Sequence, residues 1–421
     1  MGTLHQFAEI YWFILKKEYR FDQDYISHLL LWAEYIALPP KSRNFHTTES
    51  SQLGVLSVSV EVEPNADISE MVEAFEHGFH AYERVFSDHI YYGASDFIRD
   101  PPYWIEDTSQ SSIAKRQTQR TTQKVDEDLT FPKSPYRPRG YFNQVDRVGK
   151  SPTAKFESAL RKRNIDITKD DVEGIDVQQG SMDIQILSQP PHVSIDELQN
   201  KFWNFKNPGK GTIIYILDSG YDLEHPEFSD MNIQDWLDPK QYPWDELNDI
   251  SKEYNFYHGT NVLSKCAGKN VGVSKDATYV LARYSDGRGR ASFDTIIEMI
   301  LQIYDHIQRN NKRRKCVINL SFALPRRLPE YWAAFGKQKS KRKQLVLDFE
   351  EYIVEVFELL ASLSNVIITT AAGNSAPNTK PEGYPAILAD RASIRKNMVV
   401  IGGYNPYTGK NHYVESKWTK V

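Results

Sequence analysis

The sequence predicts an α/β fold from about residue 195 onward, in which helices cover both faces of a parallel sheet. Short apolar runs alternate there with longer amphipathic segments, and this alternation is typical of a parallel sheet. The runs are nearly continuous, as expected of strands that are buried on both faces. The predicted strands lie at 212–217, 278–284, 316–322, 365–371 and 398–403. The predicted helices lie near 259–268, 292–309 and 344–364.

The first hundred residues predict an α+β or helical N-terminal region. One or two aromatic-rich helices are expected within 1–38. The apolar run from Ile10 to Leu15 is interpreted as part of an amphipathic helix and not of a signal peptide, because no basic region precedes it and no small-residue cleavage site follows it. A strand is expected at 53–62 and a helix at 68–79.

The middle of the chain changes composition. Residues 107–151 are polar and then rich in proline and arginine, which predicts a flexible linker. A helix is expected near 154–163, a strand at 181–188 and another helix from Ser194. We therefore divide the chain into an N-terminal region (1–106), a linker region with short elements (107–194) and an α/β domain (195–421).

Composition narrows the classes of function. The 421 residues are 40% apolar, which is enough to bury a core and long for one domain. A net charge of −5 weighs against a nucleic-acid partner, and no run reaches the roughly 18 apolar residues of a membrane span. We expect a monomer with no nucleic-acid partner and no membrane partner, and the compartment stays unknown.

The sequence contains only two cysteines, Cys266 and Cys316, both in apolar surroundings. Buried free thiols explain them better than a disulfide or a metal site. No cofactor and no metal site are predicted, and structural calcium stays an open question.

Three short motifs follow one another in the α/β part. A predicted strand runs into Asp218-Ser219-Gly220, His258-Gly259-Thr260 opens a predicted helix, and another strand runs into Gly373-Asn374. Taken singly, such residues are more often caps or turn formers. A histidine at a helix start is expected to have a lowered pKa, because the helix dipole disfavours its cation.

Together, in this order, the motifs resemble those of the subtilisin-like serine proteases (subtilases) across about residues 195–421. The resemblance implies that Asp218 orients His258, that His258 is the general base and then the general acid, and that Asn374 donates to the oxyanion. It implies a peptide or protein substrate bound as an added strand. The residues that would line that substrate are Gly287, Gly289, Ser321, Phe322 and Ala323. It also implies an α+β prodomain, for which residues 52–105 are the candidate; an unrelated accessory domain is the alternative for this segment.

The chain departs from the family pattern in several places. Ala323-Leu324-Pro325 stands where glycines are usual, Asn261 replaces a second histidine, and an insertion from Arg326 to about Leu347 is interpreted as a solvated basic loop. Most importantly, no serine occurs in a Gly-Thr-Ser context. Ser181, Ser219 and Ser375 are poor substitutes because their motifs place them elsewhere. We expect the nucleophilic serine to lie beyond Val421, and without its helix part of the sheet surface would face water.

Two hypotheses for function follow. The first is a subtilisin-like serine endopeptidase that uses Asp218 and His258 of a Ser-His-Asp triad. The second is an inactive protein of the same fold that binds extended peptides. A dinucleotide-binding α/β protein is disfavoured, because no Gly-x-Gly-x-x-Gly follows any predicted strand.

Overall fold

The structure is a computed structural model, and it describes fifteen parts of the chain. These are residues 9–15, 17–36, 45–62, 82–89, 91–92, 172–176, 182–189, 201–240, 257–285, 290–291, 293–325, 339–373, 381, 383–405 and 410–411. The linker expected at 107–151 and the helices expected at 68–79, at 154–163 and from Ser194 lie outside the described residues.

The strands are numbered here in chain order. They are β1 (Glu9–Leu15), β2 (Phe45–Ser50), β3 (Gly54–Val62), β4 (Tyr82–His89), β5 (Tyr91–Tyr92), β6 (Val172–Asp176), β7 (Lys201–Phe205), β8 (Thr212–Asp218), β9 (Asn232–Leu237), β10 (Thr278–Arg283), β11 (Arg290–Ala291), β12 (Lys315–Leu320), β13 (Leu324–Pro325), β14 (Val366–Ala371), β15 (Gly383–Tyr384), β16 (Met398–Ile401), β17 (Tyr404–Asn405) and β18 (Lys410–Asn411).

The helices are numbered in the same way. They are α1 (Gln23–Ile36), α2 (Met182–Leu187), α3 (Tyr257–Ala267), α4 (Phe293–His306), α5 (Lys339–Ala361) and α6 (Ala392–Arg395). A π turn over Ile307–Asn311 continues α4.

The centre of the α/β part is a six-stranded sheet with the order β16-β14-β12-β8-β10-β9. Every neighbouring pair in it is parallel, and Lys315 of β12 lies opposite Thr212 of β8. The five predicted strands and three predicted helices are therefore confirmed. Strand β9 was not predicted, because this edge strand is largely exposed and polar.

Helices cover the two faces of this sheet to different extents. On one face, α4 and α5 pack with Tyr215 and Ile318 in the main core. On the other face, Leu263 and Ala267 of α3 pack against Ile216 of β8. Among the described residues, that second face is covered by a helix near β8 and β10 but not near β14 and β16.

The part of this face formed by β12, β14 and β16 is called the open face here. Ile367 is 50% exposed and Ile401 is 51% exposed. Val317 lies opposite Ile367 in the register, and Ala371 lies opposite Ile401. Since paired residues in parallel strands point to the same side, these apolar residues share one face of the sheet.

The N-terminal residues form a second, four-stranded antiparallel sheet with the order β2-β3-β1-β4. Strand β3 and helix α1 were expected, but the helix expected over Ile10 to Leu15 is wrong. That segment is the apolar and aromatic run EIYWFIL of β1, which pairs with β3 on one side and β4 on the other. Such a central position favours strand over helix.

A second correction concerns residues 181–188, where a strand was expected and helix α2 is found. The buried residues there are Ile184, Gln185 and Ser188, a helical spacing that lies on one face. The Ser188 hydroxyl donates to the carbonyl of Gln185 at 3.0 Å and accepts the Trp203 N–H at 3.1 Å, which fixes the end of the helix.

The N-terminal sheet packs against α4 and α5 of the α/β part. Ile14 and Leu56 join the main core. Ion pairs cross the same boundary, and two of them have a buried cation: His46 Nε2 lies 2.6 Å from Asp294 Oδ2, and Arg20 Nη1 lies 3.0 Å from Glu355 Oε1. The two sheets are thus held together by apolar packing and by buried charge.

Candidate active site

Asp218 ends the buried strand β8, at the edge where parallel sheets place their functional groups. It is fully buried. Its Oδ1 accepts the backbone N–H of Ser219 at 2.7 Å and the hydroxyl of Ser219 at 3.2 Å. Gly220 follows with φ 138°, a conformation that glycine adopts more readily than other residues. The carboxylate is therefore fixed by its own turn.

His258 is the second residue of α3 and faces this carboxylate. Its Nδ1 lies 2.8 Å from Oδ1 and 3.1 Å from Oδ2 of Asp218. The side chain of His258 is 30% exposed, and its Nε2 makes no hydrogen bond to any residue that the structure describes. With Nδ1–H donated to the carboxylate, Nε2 is left as the basic nitrogen.

The pKa of His258 is raised above its ordinary value, which corrects the expectation of a lowered pKa. The hydrogen bond that His258 donates to Asp218 raises this pKa most. Burial lowers it, and the negative charge of Asp218 adds to the increase. A buried carboxylate in direct contact with the imidazole thus outweighs the helix dipole, whose effect is smaller and is partly screened.

Gly259 explains how α3 can approach β8 so closely. A Cβ at this position would lie 2.1 Å from the carbonyl oxygen of Gly220 and 3.2 Å from Oδ1 of Asp218. Only a residue without a side chain fits at that distance. The glycine of the His-Gly-Thr motif is therefore required by the contact between the two segments.

Other residues hold this corner together, and sequence reasoning did not assign them roles. Thr260 Oγ1 accepts the N–H of Asp222 at 2.9 Å, the Ser285 hydroxyl donates to the carbonyl of Ser219, and the Tyr284 N–H donates to the Asp218 carbonyl at 3.0 Å. Ser219 and Thr260 could have been identified from the sequence, because each belongs to one of the two motifs. No sequence pattern pointed to Ser285, because only the fold brings it to this turn.

The residues predicted to line the substrate are only partly described. Asn374, Gly287 and Gly289 lie outside the described residues. Ser321, Phe322 and Ala323 follow β12 at the same edge of the sheet as Asp218. The Phe322 side chain is buried edge-on against Tyr284, with ring centroids 5.6 Å apart, so this residue can offer a substrate only its backbone.

The part of the chain that the structure describes shows neither a metal-binding cluster nor a membrane span. It holds no group of three or more His, Cys, Asp or Glu side chains placed to bind a metal ion. None of its helices is long and apolar enough to span a bilayer. Cys266 and Cys316 are free thiols, as predicted, and burial raises the pKa of each to about 11.

Known proteins resemble this chain over part of its length. A subtilisin-like protease of Coccidioides posadasii (strain C735) is 34% identical over 116 residues, which cover 28% of this chain and 27% of that protein. Subtilisin-like protease 2 of Arthroderma otae is 29% identical over 177 residues, which cover 42% of this chain and 35% of that protein. The chain thus spans about a quarter to a third of the length of these curated relatives.

Among solved structures, a cold adapted subtilisin-like serine proteinase is similar at 19% identity and a TM-score of 0.29, covering 48% of this chain and 57% of that one. The sequence model of the subtilase family matches residues 209–419, which contain Asp218, His258 and the six-stranded sheet. Because this match covers half of the chain, the protein belongs to the subtilase family.

Proposed function

We propose that this chain carries the acid–base part of a serine endopeptidase active site, in which Asp218 and His258 act with a nucleophilic serine to hydrolyse peptide bonds. The observation that supports this most strongly is the contact between His258 Nδ1 and the buried carboxylate of Asp218. A carboxylate held by its own turn fixes the tautomer and direction of the imidazole, as a general base requires.

In this proposal the free Nε2 of His258 accepts the proton of the serine hydroxyl as the serine attacks the scissile carbonyl. The imidazolium that forms is stabilised by Asp218, and it then gives the proton to the leaving amine. Asn374 would donate its side-chain amide to the oxyanion. The raised pKa of His258 fits this cycle, because the cationic intermediate is the form that Asp218 favours.

The open face supports a serine segment that is not among the 421 residues. Ile367 and Ile401 are half exposed on a sheet whose opposite face is fully packed. An apolar sheet surface of this kind is normally covered by another element. We propose that the segment with the nucleophilic serine provides that cover.

The substrate would bind as an extended strand at the edge between 285–290 and 321–324. Strand β5 already uses this kind of pairing, since Tyr91 and Tyr92 pair antiparallel with Ala291 and Arg290 of β11. This supports an N-terminal region (1–106) that acts as a prodomain and restricts access to the substrate edge. The division of the chain at 106 and 194 remains part of this proposal.

The inactive, peptide-binding alternative is not favoured by this geometry. A protein that only binds peptides has no need for a buried carboxylate oriented towards an imidazole. Ser219, Thr260 and Gly259 all make the contacts that hold this pair in place.

The test begins with the native transcript, read through codon 421. If the frame continues into a Gly-Thr-Ser segment, the full native chain should cleave casein, and Asp218→Asn or His258→Ala should each abolish cleavage. An exposed carboxylate nearby gives the control, because Asp222→Asn should leave activity intact. Full turnover in either site variant, or a transcript that stops after Val421, would refute the proposal.

A further inference from the structure

The edge of the sheet opposite the candidate active site carries a surface of exposed cations. All six strands of the parallel sheet begin at this edge, whereas Asp218 lies where β8 ends. Three turns that lead into strands lie here, two of them counted with one residue of the adjoining element: 206–210 before β8, 312–315 with Lys315 as the first residue of β12, and 395–396 with Arg395 as the last residue of α6. We refer to these three turns together as the basic edge.

The basic edge gathers residues that are far apart in sequence. Its exposed cations are Lys206, Lys210, Lys312, Arg313, Arg314, Lys315, Arg395 and Lys396. The chain as a whole has a net charge of −5, so this concentration of positive charge is local. The first turn precedes β8 and the last precedes β16, and these two strands are three strand spacings apart in the sheet, or roughly 14 Å.

The turns of the basic edge are fixed by hydrogen bonds to the sheet. Asn365 Nδ2 donates to the carbonyl of Arg314 at 2.7 Å, and Asn397 Nδ2 donates to the carbonyl of Val366 at 2.9 Å. The Asp276 N–H donates to the carbonyl of Pro208 at 2.9 Å. The positive surface is therefore preformed, and binding would not have to order its backbone.

The cations of the middle turn are not neutralised locally. Lys312, Arg313, Arg314 and Lys315 make no ion pair with any residue that the structure describes. Two exposed acids near this edge have partners outside it: Asp230 pairs with Lys269 at 3.0 Å, and Glu358 accepts the Ser393 hydroxyl at 2.6 Å. Asp390 is exposed beside the third turn, and its carbonyl accepts the Arg395 guanidinium at 2.6 Å. Asp276 is the exposed acid next to the turn at 206–210.

We propose that the basic edge binds the surface of a membrane that contains anionic phospholipids. Its cations are spread across three strands and not along a groove, which suits a planar array of phosphate and carboxylate groups. Phe205, 39% exposed, directly precedes the first turn, and an aromatic ring at the headgroup level is typical of membrane contacts.

Nucleic acid is the less suitable partner. Phe205 is the one aromatic residue beside the three turns, whereas proteins that bind single-stranded nucleic acid stack successive bases on several aromatic rings. The expectation of no membrane partner rested on the lack of an apolar span, which an electrostatic contact does not need. Binding through this edge would leave the His258–Asp218 pair at the far end of the sheet, facing away from the lipid.

The experiment measures co-sedimentation of the 421-residue chain with vesicles of phosphatidylcholine that contain phosphatidylserine, and with vesicles of phosphatidylcholine alone. Binding should require phosphatidylserine. It should be strong at about 0.01 M salt and lost at about 1 M, because the screening length falls from about 30 Å to about 3 Å.

The variant Arg313→Gln/Arg314→Gln should weaken vesicle binding by roughly 25-fold, since each cation near an anionic surface contributes about fivefold. The matched control is Lys17→Gln/Lys240→Gln, which removes the same charge from two exposed lysines away from the basic edge. The control should bind like the parent chain, and melting curves should show that both variants fold.

Three outcomes would overturn the proposal. They are no binding to phosphatidylserine vesicles at low salt, an equal loss of binding in the control variant, and binding of soluble heparin or single-stranded RNA without binding of vesicles. The last result would assign the basic edge to a polyanionic chain instead of a membrane. None of these readouts depends on peptide hydrolysis, so the proposed protease function is tested separately.

Discussion

The backbone of Gly259 lies against the Asp218 turn so closely that a Cβ at Gly259 would come within 2.1 Å of the Gly220 carbonyl oxygen. The two segments are 40 residues apart in sequence, and this contact sets the distance between His258 and its carboxylate. Gly259, the residue next to His258, thus sets the position of α3 on the sheet.

Gly259→Ala should push the first turn of α3 away from β8. We expect a loss of about 1–3 kcal/mol in the free energy of unfolding, as is usual for overpacking. The pKa of His258 should fall, because its hydrogen bond to Asp218 lengthens. Denaturant unfolding and an NMR titration of the imidazole measure the two effects.

Gly268→Ala is the control for that variant. Its Cβ would meet the Ser264 carbonyl oxygen at 2.5 Å and Glu227 Oε2 at 2.7 Å, a clash at the other end of the same helix. It should lower stability without changing the pKa of His258. An equal drop in that pKa in both variants would show that Gly259 has no special part in the contact.

Asp218→Asn should lower the pKa of His258, because the hydrogen bond and charge that raise it come from Asp218. A group whose pKa is raised by folding stabilises the protein most below its ordinary value of 6.5, and this contribution is lost as pH rises through the folded pKa. The stability difference between the wild type and Asp218→Asn should therefore be largest at acidic pH. An unchanged His258 titration would contradict the assignment.

The His46–Asp294 pair should dominate the contact between the N-terminal sheet and α4. Both side chains are buried, and Ser59 also donates its hydroxyl to Asp294. His46→Ala leaves the buried carboxylate without its cation and should cost about 3–5 kcal/mol of stability. Asp294→Asn and the double variant complete a thermodynamic cycle, which should show strong coupling between the two positions.

The same contact should weaken as pH rises. Burial alone would lower the pKa of His46, but the charge of Asp294 and its hydrogen bond outweigh burial and raise that pKa. The charge of Glu298 adds to the increase, and the charge of Lys240 opposes it. Burial also raises the pKa of Glu298. Both shifts favour the protonated forms in the folded state. The stabilisation from His46 is complete below about pH 6.5 and is lost as pH rises through its folded pKa, whereas that from Glu298 is complete only below its ordinary value of 4.5. Unfolding curves measured across this range test the sign.

The open face should make this chain prone to association. Ile367→Ser should reduce the binding of a hydrophobic dye and the tendency to aggregate, with little change in stability, because Ile367 is half exposed. The neighbouring Ile368 is fully buried on the opposite face, and Ile368→Ser should cost about 2–5 kcal/mol. Equal losses of stability in the two variants would show that the face is covered.

The local sequence pattern was sufficient to predict an element wherever a single segment contained all the residues that indicate it. The strands β8, β10, β12, β14 and β16 could be recognised because each is a nearly continuous apolar run. The residues Asp218 and His258 could be paired because their motifs, in this order along the chain, resemble those of the subtilases. The sequence failed at β1, α2 and β9. Strand β1 is an apolar run whose central place in a sheet only its neighbours decide. Helix α2 is short and β9 is polar, so neither gives a clear periodicity.

Other features were decided only by the tertiary structure, because they depend on which segments become neighbours. The direction of the His258 pKa follows from a carboxylate 2.8 Å away, which outweighs the dipole of its own helix. The buried His46–Asp294 contact joins segments that no periodicity relates. The basic edge exists because a parallel sheet starts all its strands on one side. The sequence by itself determined the strands and the chemistry of the pair, whereas long-range packing decided the charges and surfaces around them.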